Sequence, residues 1–478
     1  MMCASGGFMD ETIISLMSES ELCAAMGARL IHPQNRSFHS ISTDSRKTTP
    51  DDLFIALSGE RFDAHDFVPD VIQKGCRGIL VSRELDVPED VAMYIVPDVL
   101  KAFGMLADAV LEKRRSMGSF TTYAITGSNG KTTTKELLTL LLQAQGHHVL
   151  KTEGNFNNFV GLPMTVLNLR RDHDVAVLEM GANAPGEIAY LSGLGKPDIA
   201  IITCIGSAHL EGFGSLEGVA KAKGEMIFSP RLKKIVLPSQ TRCYFENNIP
   251  STVSAVWVGD ETSRENIRIQ NVRSHLDGIE FDLVDDAEQM HIRLPLLGSH
   301  NAGNLARAYA ALCGTKLSEN DINRAIEKIR LPSGRLERWT NEAGISFLHD
   351  AYNANPSSMK EALQLMSQFN SPKYLILGDM RELGRDSDLL HEALGKSAAD
   401  IHPERILCVG SSAQHIRSGA LSAGYDASRI FCTTTDDLGK GLDWLSQTLH
   451  KDDLCLIKGS RGVRLERVLE YFNAQRRL

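Results

Sequence analysis

Residues 126 to 132 combine the residue types that bind phosphate groups. They read Thr126, Gly127, Ser128, Asn129, Gly130, Lys131 and Thr132. The glycines leave backbone N–H groups open to phosphate oxygens, the lysine balances negative charge, and the last threonine offers a hydroxyl to magnesium. Ile125 stands where the usual phosphate-binding loop has its first glycine. The alternative is a glycine turn that only starts a helix, but the Gly-Lys-Thr sequence favours phosphate binding.

Two polar residues follow apolar runs that predict parallel strands. Glu179 ends the run from Val175 to Leu178, and His209 comes after the run that begins at Ile199. The carboxyl ends of parallel strands meet at the edge of the sheet where ligands bind, and a carboxylate there can hold magnesium. Taken alone, Glu179 could also be a cap or a surface ion pair, and His209 an ordinary loop residue.

Lys223 lies on the apolar stripe of a helix that the spacing predicts over Leu216 to Phe228. The residues that share this stripe are Val219, Ala222, Met226 and Ile227. An inward lysine needs an anionic partner, neutralisation or chemical modification, because a bare ammonium is costly to bury. The spacing alone favours a simpler alternative, in which the stem lies along the core and the amine reaches water.

Asparagines cluster in three short segments, 154–158, 301–304 and 350–356. Such residues suit turns and helix caps, which is the ordinary interpretation of each cluster. In a chain that also has a phosphate loop, some of these amides are candidates for reading a polar ligand through paired donors and acceptors.

The pattern of apolar runs predicts an α/β chain of three domains. Residues 1–119 predict a small α/β domain, residues 120–330 a phosphate-loop domain with a mostly parallel sheet, and residues 331–478 a Rossmann-like domain. Alternating runs at Ile267 to Val272 and Ile279 to Val284 predict antiparallel strands within the central domain. No Gly-x-Gly-x-x-Gly motif follows the first strand of the third domain, so a nicotinamide or flavin role has no support.

Composition limits the classes of partner. The 478 residues have a formal net charge of -9, which disfavours nucleic acid as the main partner. The 9 cysteines are scattered without close pairing, which fits a reducing compartment. No lysine or arginine precedes Arg29, and no apolar run approaches the roughly 20 residues that cross a bilayer. We therefore expect a cytoplasmic protein without membrane insertion.

Together these motifs resemble those of the Mur ligases, the ATP-dependent amide-forming enzymes of peptidoglycan synthesis. The matching segments are 126–132, Glu179-Met-Gly181, His209, the Lys223 segment, His300-Asn-x-x-Asn304, Gly334-Arg-Leu-Glu337 and Asp350-Ala-Tyr-Asn-Ala-Asn-Pro356. Within the family, segments 59–67, 154–163, 212–214 and 222–225 are similar to the member that adds D-alanyl-D-alanine. The Asp-Asn-Pro-Arg signature of the diaminopimelate-adding member is absent.

The resemblance implies a reaction. ATP phosphorylates the terminal carboxylate of UDP-N-acetylmuramoyl-tripeptide, and the amine of D-alanyl-D-alanine attacks the acyl phosphate to give an amide, ADP and phosphate. Two Mg²⁺ ions are implied, one held by Thr132 and Glu179 and the other by His209 and a carbamylated Lys223. Lys131 would polarise the γ-phosphate.

The resemblance also implies where the substrates bind. Residues 126–132 with Asn301, Arg335, Asp350 and Asn353 would hold ATP. Thr43, Ser45 and Arg46 would face the uridine diphosphate, and Asn157 and Asn158 the sugar-peptide part. Since the third domain supplies Arg335, Asp350 and Asn353, it must close onto the second, with a hinge near Leu331 to Ser333. We expect a monomer.

Two alternatives compete with this hypothesis. A folylpolyglutamate synthase would share the phosphate loop but not the first-domain segments Asp44-Ser-Arg46 and Phe62-Asp-Ala-His-Asp-Phe67. A GTPase switch would bind partners without ligation, but the chain has no Asn-Lys-x-Asp guanine motif.

Overall fold

The computed structural model describes residues 11–59, 62–207, 209–286, 288–313 and 316–474. Three sheets follow one another along this part of the chain. Ala208 and residues 60–61, which belong to the first-domain segment 59–67, lie outside the described residues.

The first sheet has five strands in the order β1-β5-β4-β3-β2. The strands are β1 (Arg29–Ile31), β2 (Ser40–Ser42), β3 (Asp52–Ile55), β4 (Gly78–Val81) and β5 (Ala92–Ile95). The helices are α1 (Glu19–Met26), α2 (Val68–Gln73) and α3 (Val99–Ser116). All neighbouring strands are parallel except β1, which pairs antiparallel with β5.

The second sheet has nine strands in the order β14-β13-β12-β11-β10-β9-β6-β8-β7. The strands are β6 (Thr121–Thr126), β7 (Val149–Lys151), β8 (Val175–Glu179), β9 (Ile199–Ile202), β10 (Lys234–Pro238), β11 (Ser254–Gly259), β12 (Ile267–His275), β13 (Gly278–Asp285) and β14 (Glu288–Leu294). The helices are α4 (Lys131–Ala144), α5 (Gly161–Leu167), α6 (Glu187–Gly195), α7 (Leu210–Phe213), α8 (Leu216–Gly224), α9 (Arg242–Phe245), α10 (His300–Ala311) and α11 (Glu319–Ile326). Strands β7 to β12 pair in parallel, and β12, β13 and β14 pair antiparallel.

The antiparallel prediction for the central domain is therefore confirmed for its last strands. The helix predicted over Leu216 to Phe228 is shorter than expected, because α8 ends at Gly224 and a 3-10 turn, Glu225–Phe228, follows.

The third sheet has six strands in the order β15-β16-β20-β17-β18-β19. The strands are β15 (Glu337–Thr340), β16 (Ser346–Asp350), β17 (Lys373–Gly378), β18 (Arg405–Val409), β19 (Ile430–Thr433) and β20 (Leu454–Lys458). The helices are α12 (Pro356–Ser367), α13 (Ser387–Asp400), α14 (Ala413–Ser422), α15 (Leu438–Ser446) and α16 (Arg467–Ala474). Only β15 is antiparallel to its neighbour, so the Rossmann-like prediction is confirmed.

Side chains of the central strands alternate between two apolar cores. In β6, Ala124 packs into the core shared with the first sheet, whereas Tyr123 and Ile125 pack against α4 and α10. This alternation follows from the two-residue repeat of a strand and places helices on both faces of the sheet. The carboxyl ends of β6, β8 and β9 consequently remain open at one edge. Among the described residues, no helix is long and apolar enough to span a bilayer.

Candidate active site

A cavity of about 530 Å³ lies where the open edge of the second sheet faces the third. Thirteen of the residues that the sequence predicts for the site line it. They are Ser128, Asn129, Gly130, Lys131, Thr132, Asn157, Asn158, Glu179, His209, Asn301, Arg335, Asp350 and Asn353. Thr126, Gly127 and Lys223 lie behind this lining, and Thr43, Ser45 and Arg46 are not part of it.

The loop between β6 and α4 depends on two glycines with positive φ. Gly127 has φ 141°, and a Cβ there would lie 2.0 Å from Thr203 Oγ1. Gly130 has φ 80° and caps α4, and a Cβ there would lie 2.5 Å from Asn304 Oδ1. Only glycine tolerates both the conformation and the close approach. The loop therefore turns tightly into the N-terminus of a helix, which is the geometry that binds phosphate.

Lys131 begins α4 and folds back over this loop. Its Nζ donates to the carbonyl of Gly127 at 2.8 Å. Burial lowers the pKa of the Lys131 amine, while the nearby carboxylate of Glu179 opposes that shift. The ammonium thus has few strong partners among the described residues and is placed where phosphate charge would stabilise it.

Glu179 ends β8 and is 2% exposed. Its Oε1 accepts from Asn157 Nδ2 at 2.9 Å, and its backbone N–H donates to Thr152 Oγ1. The other oxygen, Oε2, is buried and accepts no hydrogen bond among the described residues. A buried carboxylate oxygen without a donor is costly, and a divalent cation would satisfy it. With the buried Thr132 on the same cavity, the residues fit a Mg²⁺ ion.

Lys223 is almost wholly buried, with 1% of its surface exposed. Its Nζ donates to the Ala182 carbonyl at 3.2 Å and lies 5.2 Å from the centre of the Phe213 ring. The interpretation in which the amine reaches water is therefore wrong. Burial, assisted by the charge of Lys131, lowers the pKa of Lys223 to about 7.

His209 has a positive φ of 55° and links the second and third sheets. Its Nδ1 is bonded to a carboxylate oxygen of Glu382, which follows β17. Burial lowers the pKa of His209, and the Glu382 carboxylate opposes that change. His209 therefore lines the cavity while its Nδ1 contacts the third domain.

The third domain contributes a cationic and aromatic wall. The Arg335 guanidinium stacks 4.0 Å from the ring centre of Tyr352, which also lines the cavity. Asp350 accepts from the backbone of Leu336 and forms a buried ion pair with Lys458. This pairing fixes the carboxylate at the end of β16.

Three residues that the sequence analysis did not assign to the site, Asn304, Asn355 and Ser357, connect the phosphate loop to its surroundings. Asn129 Nδ2 donates to Ser357 Oγ at 2.9 Å, and Asn355 Nδ2 donates to Asn129 Oδ1 at 2.8 Å. Asn304 packs against Gly130 and donates to Asn301 Oδ1. Asn304 and Asn355 were visible as members of the asparagine clusters, but only the fold shows that they meet the phosphate loop.

The residues predicted to face the uridine diphosphate, Thr43, Ser45 and Arg46, do not line the cavity. Arg46 is exposed and pairs with Asp44 at 2.8 Å, and the Ser45 carbonyl accepts from Lys74 Nζ. In the central domain, Asn158 Oδ1 accepts from the backbone N–H groups of Val160 and Gly161 in the turn that leads into α5, which is an ordinary role for an asparagine. Asn157, in contrast, contacts Glu179 directly.

Family models cover all three parts of the chain. The Mur ligase family catalytic domain matches residues 37–110, the Mur ligase middle domain residues 125–312, and the Mur ligase glutamate ligase domain residues 334–461. The chain belongs to the Mur ligase family. The first of these matches contains the segment Asp44-Ser-Arg46, which the folylpolyglutamate synthase alternative is expected to lack.

One similar protein and two similar solved structures come from one kind of Mur ligase. The UDP-N-acetylmuramoyl-tripeptide–D-alanyl-D-alanine ligase of Bacillus subtilis is 35% identical over 449 residues, which are 92% of this chain and 95% of that protein. The crystal structure of MurF from Acinetobacter baumannii superposes with a TM-score of 0.84 at 32% identity, covering 95% of this chain and 98% of that one. MurF from Thermotoga maritima in complex with ADP gives 0.77 at 26% identity, covering 91% and 96%.

Proposed function

We propose that this Mur ligase joins D-alanyl-D-alanine to UDP-N-acetylmuramoyl-tripeptide at the expense of ATP, in peptidoglycan precursor synthesis. The single observation that carries this function is the cavity in which the phosphate loop, Glu179 and third-domain residues meet. The named relatives act on these substrates, and one structural neighbour holds ADP. The product of ATP use is ADP and phosphate.

The chain's own groups support phosphoryl transfer by position and charge. The loop amides and Lys131 hold the β- and γ-phosphates, because both lie at the start of α4. Arg335 and Asn301 approach from the other wall and hold the remainder of the nucleotide with Asp350 and Asn353. Closure of the two walls excludes water, which would otherwise hydrolyse an acyl phosphate.

Thr132 and Glu179 are the proposed ligands of one Mg²⁺, and His209 with a carbamylated Lys223 those of a second. Bound magnesium would offset the negative charge that gathers between ATP and the substrate carboxylate. Support for the first set is the buried Glu179 Oε2, which accepts no hydrogen bond among the described residues. Support for the second is the burial of Lys223 beside Ala182, a residue that lines the cavity.

Carbamylation of Lys223 would turn a buried cation into an anion. The neutral amine attacks carbon dioxide, so that a C–N bond forms while one C=O π bond opens and leaves its electron pair on oxygen, and the amine loses one N–H proton to solvent. Because only the neutral amine reacts, the lowered pKa of about 7 favours this step. We expect Lys223→Ala to be nearly inactive and partly rescued by short carboxylates. Retained activity in both Lys223→Ala and Lys223→Arg would contradict the carbamate.

The remaining proposals concern the substrate-binding residues, the domain boundaries and the cellular location. We propose that Thr43, Ser45 and Arg46 bind the uridine diphosphate and that Asn157 and Asn158 face the sugar-peptide. Residues 1–119, 120–330 and 331–478 would form the three domains, since each span contains one sheet. We also propose a cytoplasmic location, which the scattered cysteines without close pairing support, and the monomer stays a prediction.

The deciding experiment is phosphate release from ATP by the full chain. We expect release only when both the muramoyl-tripeptide and D-alanyl-D-alanine are present. Release with a folate and glutamate instead would favour the folylpolyglutamate alternative. A preference for GTP without any ligation would favour the switch alternative.

A further inference from the structure

Lys135 is a buried charged side chain that the proposed chemistry does not use. It lies in α4, one helical turn after Lys131, and only 1% of it is exposed. Burying an ammonium is costly unless polar or anionic groups surround it. Its partners therefore indicate what the charge is for.

Three groups surround the Lys135 amine. Nζ donates to the Thr152 carbonyl at 2.5 Å and lies 3.1 Å from Glu136 Oε1. It also lies 4.0 Å from Glu179 Oε2, the carboxylate oxygen that accepts no hydrogen bond. The Thr152 hydroxyl accepts a hydrogen bond from the backbone N–H of Glu179. Thr152 therefore contacts both Lys135 and Glu179.

Glu136 connects this pair to the outside of the domain. Its Oε2 accepts from Lys151 Nζ at 2.7 Å, and Lys151 is partly exposed. Charges thus alternate along Lys151, Glu136, Lys135 and Glu179. Glu136 offsets part of the Lys135 charge, and the remainder acts on Glu179.

We infer that Lys135 is a positioning residue that acts through Glu179, holding its carboxylate in place and limiting how strongly it binds a divalent cation. The ammonium and a cation would share Glu179 Oε2, and like charges repel. This inference rests on the proposed function only in treating Glu179 as a cation ligand. A purely structural lysine would hold the fold without weakening metal binding.

The test measures Mn²⁺ binding by electron paramagnetic resonance, with a non-hydrolysable ATP analogue on the full chain. Lys135→Met, which keeps the length and removes the charge, should tighten Mn²⁺ binding by about tenfold, the size of typical outer-shell effects on metal affinity. Glu136→Gln should weaken binding, because it leaves the Lys135 charge uncompensated. Lys151→Met is the matched control and should change binding by less than about twofold, since Lys151 is partly exposed to screening solvent and pairs with Glu136 instead of Glu179.

Unchanged or weaker Mn²⁺ binding by folded Lys135→Met would overturn the inference. If that variant does not fold, Glu136→Gln decides, and an unchanged dissociation constant overturns it. If the parent binds Mn²⁺ with the analogue but does not ligate D-alanyl-D-alanine, the proposed function fails while the inference about Lys135 stands.

Discussion

Two basic side chains near the phosphate loop, Lys223 and His209, lie within reach of the Lys131 charge. The Lys131 charge contributes to lowering the pKa of both Lys223 and His209. At Lys131 itself, burial lowers the pKa and the nearby Glu179 carboxylate opposes that shift. An anion bound near Lys131 would relieve the repulsion between these basic groups, so the arrangement favours a negatively charged ligand. A nucleoside triphosphate is such a negatively charged ligand.

Lys131→Ala should abolish most ligation while leaving the fold intact. The ammonium lies at a helix start over the loop, and loss of one such contact with developing charge typically costs about a hundredfold in rate or more. Ligation rate and circular dichroism should be measured together. Near-normal turnover by the folded variant would contradict the role of Lys131.

Lys223→Met should be more stable than the parent in carbon dioxide-free buffer without metal, and most clearly below pH 7. The folded pKa of about 7 lies below the usual 10.5, so below pH 7 the buried amine is charged and its burial penalty is fully present. Between about pH 7 and pH 10.5 the amine is protonated in the unfolded chain but neutral in the folded chain. The free energy of unfolding of the parent therefore rises with pH in this range. Urea unfolding at pH 6 and pH 9 checks this, and an equal difference at both pH values would contradict it.

At the scale of elements, one turn joins β6 to α4 and sets the geometry of the whole loop. Its two glycines approach Thr203 and Asn304, which belong to the segment after β9 and to α10. The loop is therefore held by neighbours on both sides, not by its own sequence alone. Phosphate-binding geometry depends on this packing.

Gly127→Ala should impair ATP binding and lower stability. The new Cβ would lie 2.0 Å from Thr203 Oγ1 at a φ of 141°, and such strain costs roughly 1–3 kcal/mol. Gly146→Ala is the control, because Gly146 also has positive φ, 92°, but nothing lies within 4 Å of its Cβ position. Thermal unfolding and ATP titration would distinguish them. Equal ATP affinities in the two variants would show that the Thr203 contact is unimportant.

At the scale of the molecule, the second and third domains touch at the catalytic cavity itself. Asn129 of the loop bonds Ser357 and Asn355, and His209 bonds Glu382. We expect these few polar contacts to couple closure of the domains to order in the phosphate loop. We expect the closed arrangement to depend on ligands, with the segment 331–333 as the hinge.

Ser357→Ala should raise the KM for ATP several-fold with little effect on unfolding temperature, because it removes the hydrogen bond accepted from Asn129 and the one donated to Asn355. Ser367→Ala, at the other end of α12, loses only a local bond to Gln364 and serves as control. X-ray scattering should show the parent becoming more compact with an ATP analogue and muramoyl-tripeptide, and Ser357→Ala less so. Superimposable parent curves with and without ligands would contradict closure.

The sequence by itself determined the local elements and the phosphate loop. Apolar periodicity and the Gly-Lys-Thr start defined β8, α4 and the alternating α/β order, since these depend on neighbours along the chain. Helical spacing placed Lys223 on a buried stripe. It could not tell burial from an amine that reaches water, because that depends on what covers the helix.

Tertiary structure alone decided which distant groups meet. Asn129 and Asn355 are 226 residues apart, and Glu382 lies 173 residues from His209. Lys135 shows the same limit, since helical position predicted nothing about its approach to Glu179 on β8. Such contacts arise from strand order and domain packing, for which the spacing of residues along a chain carries no signal.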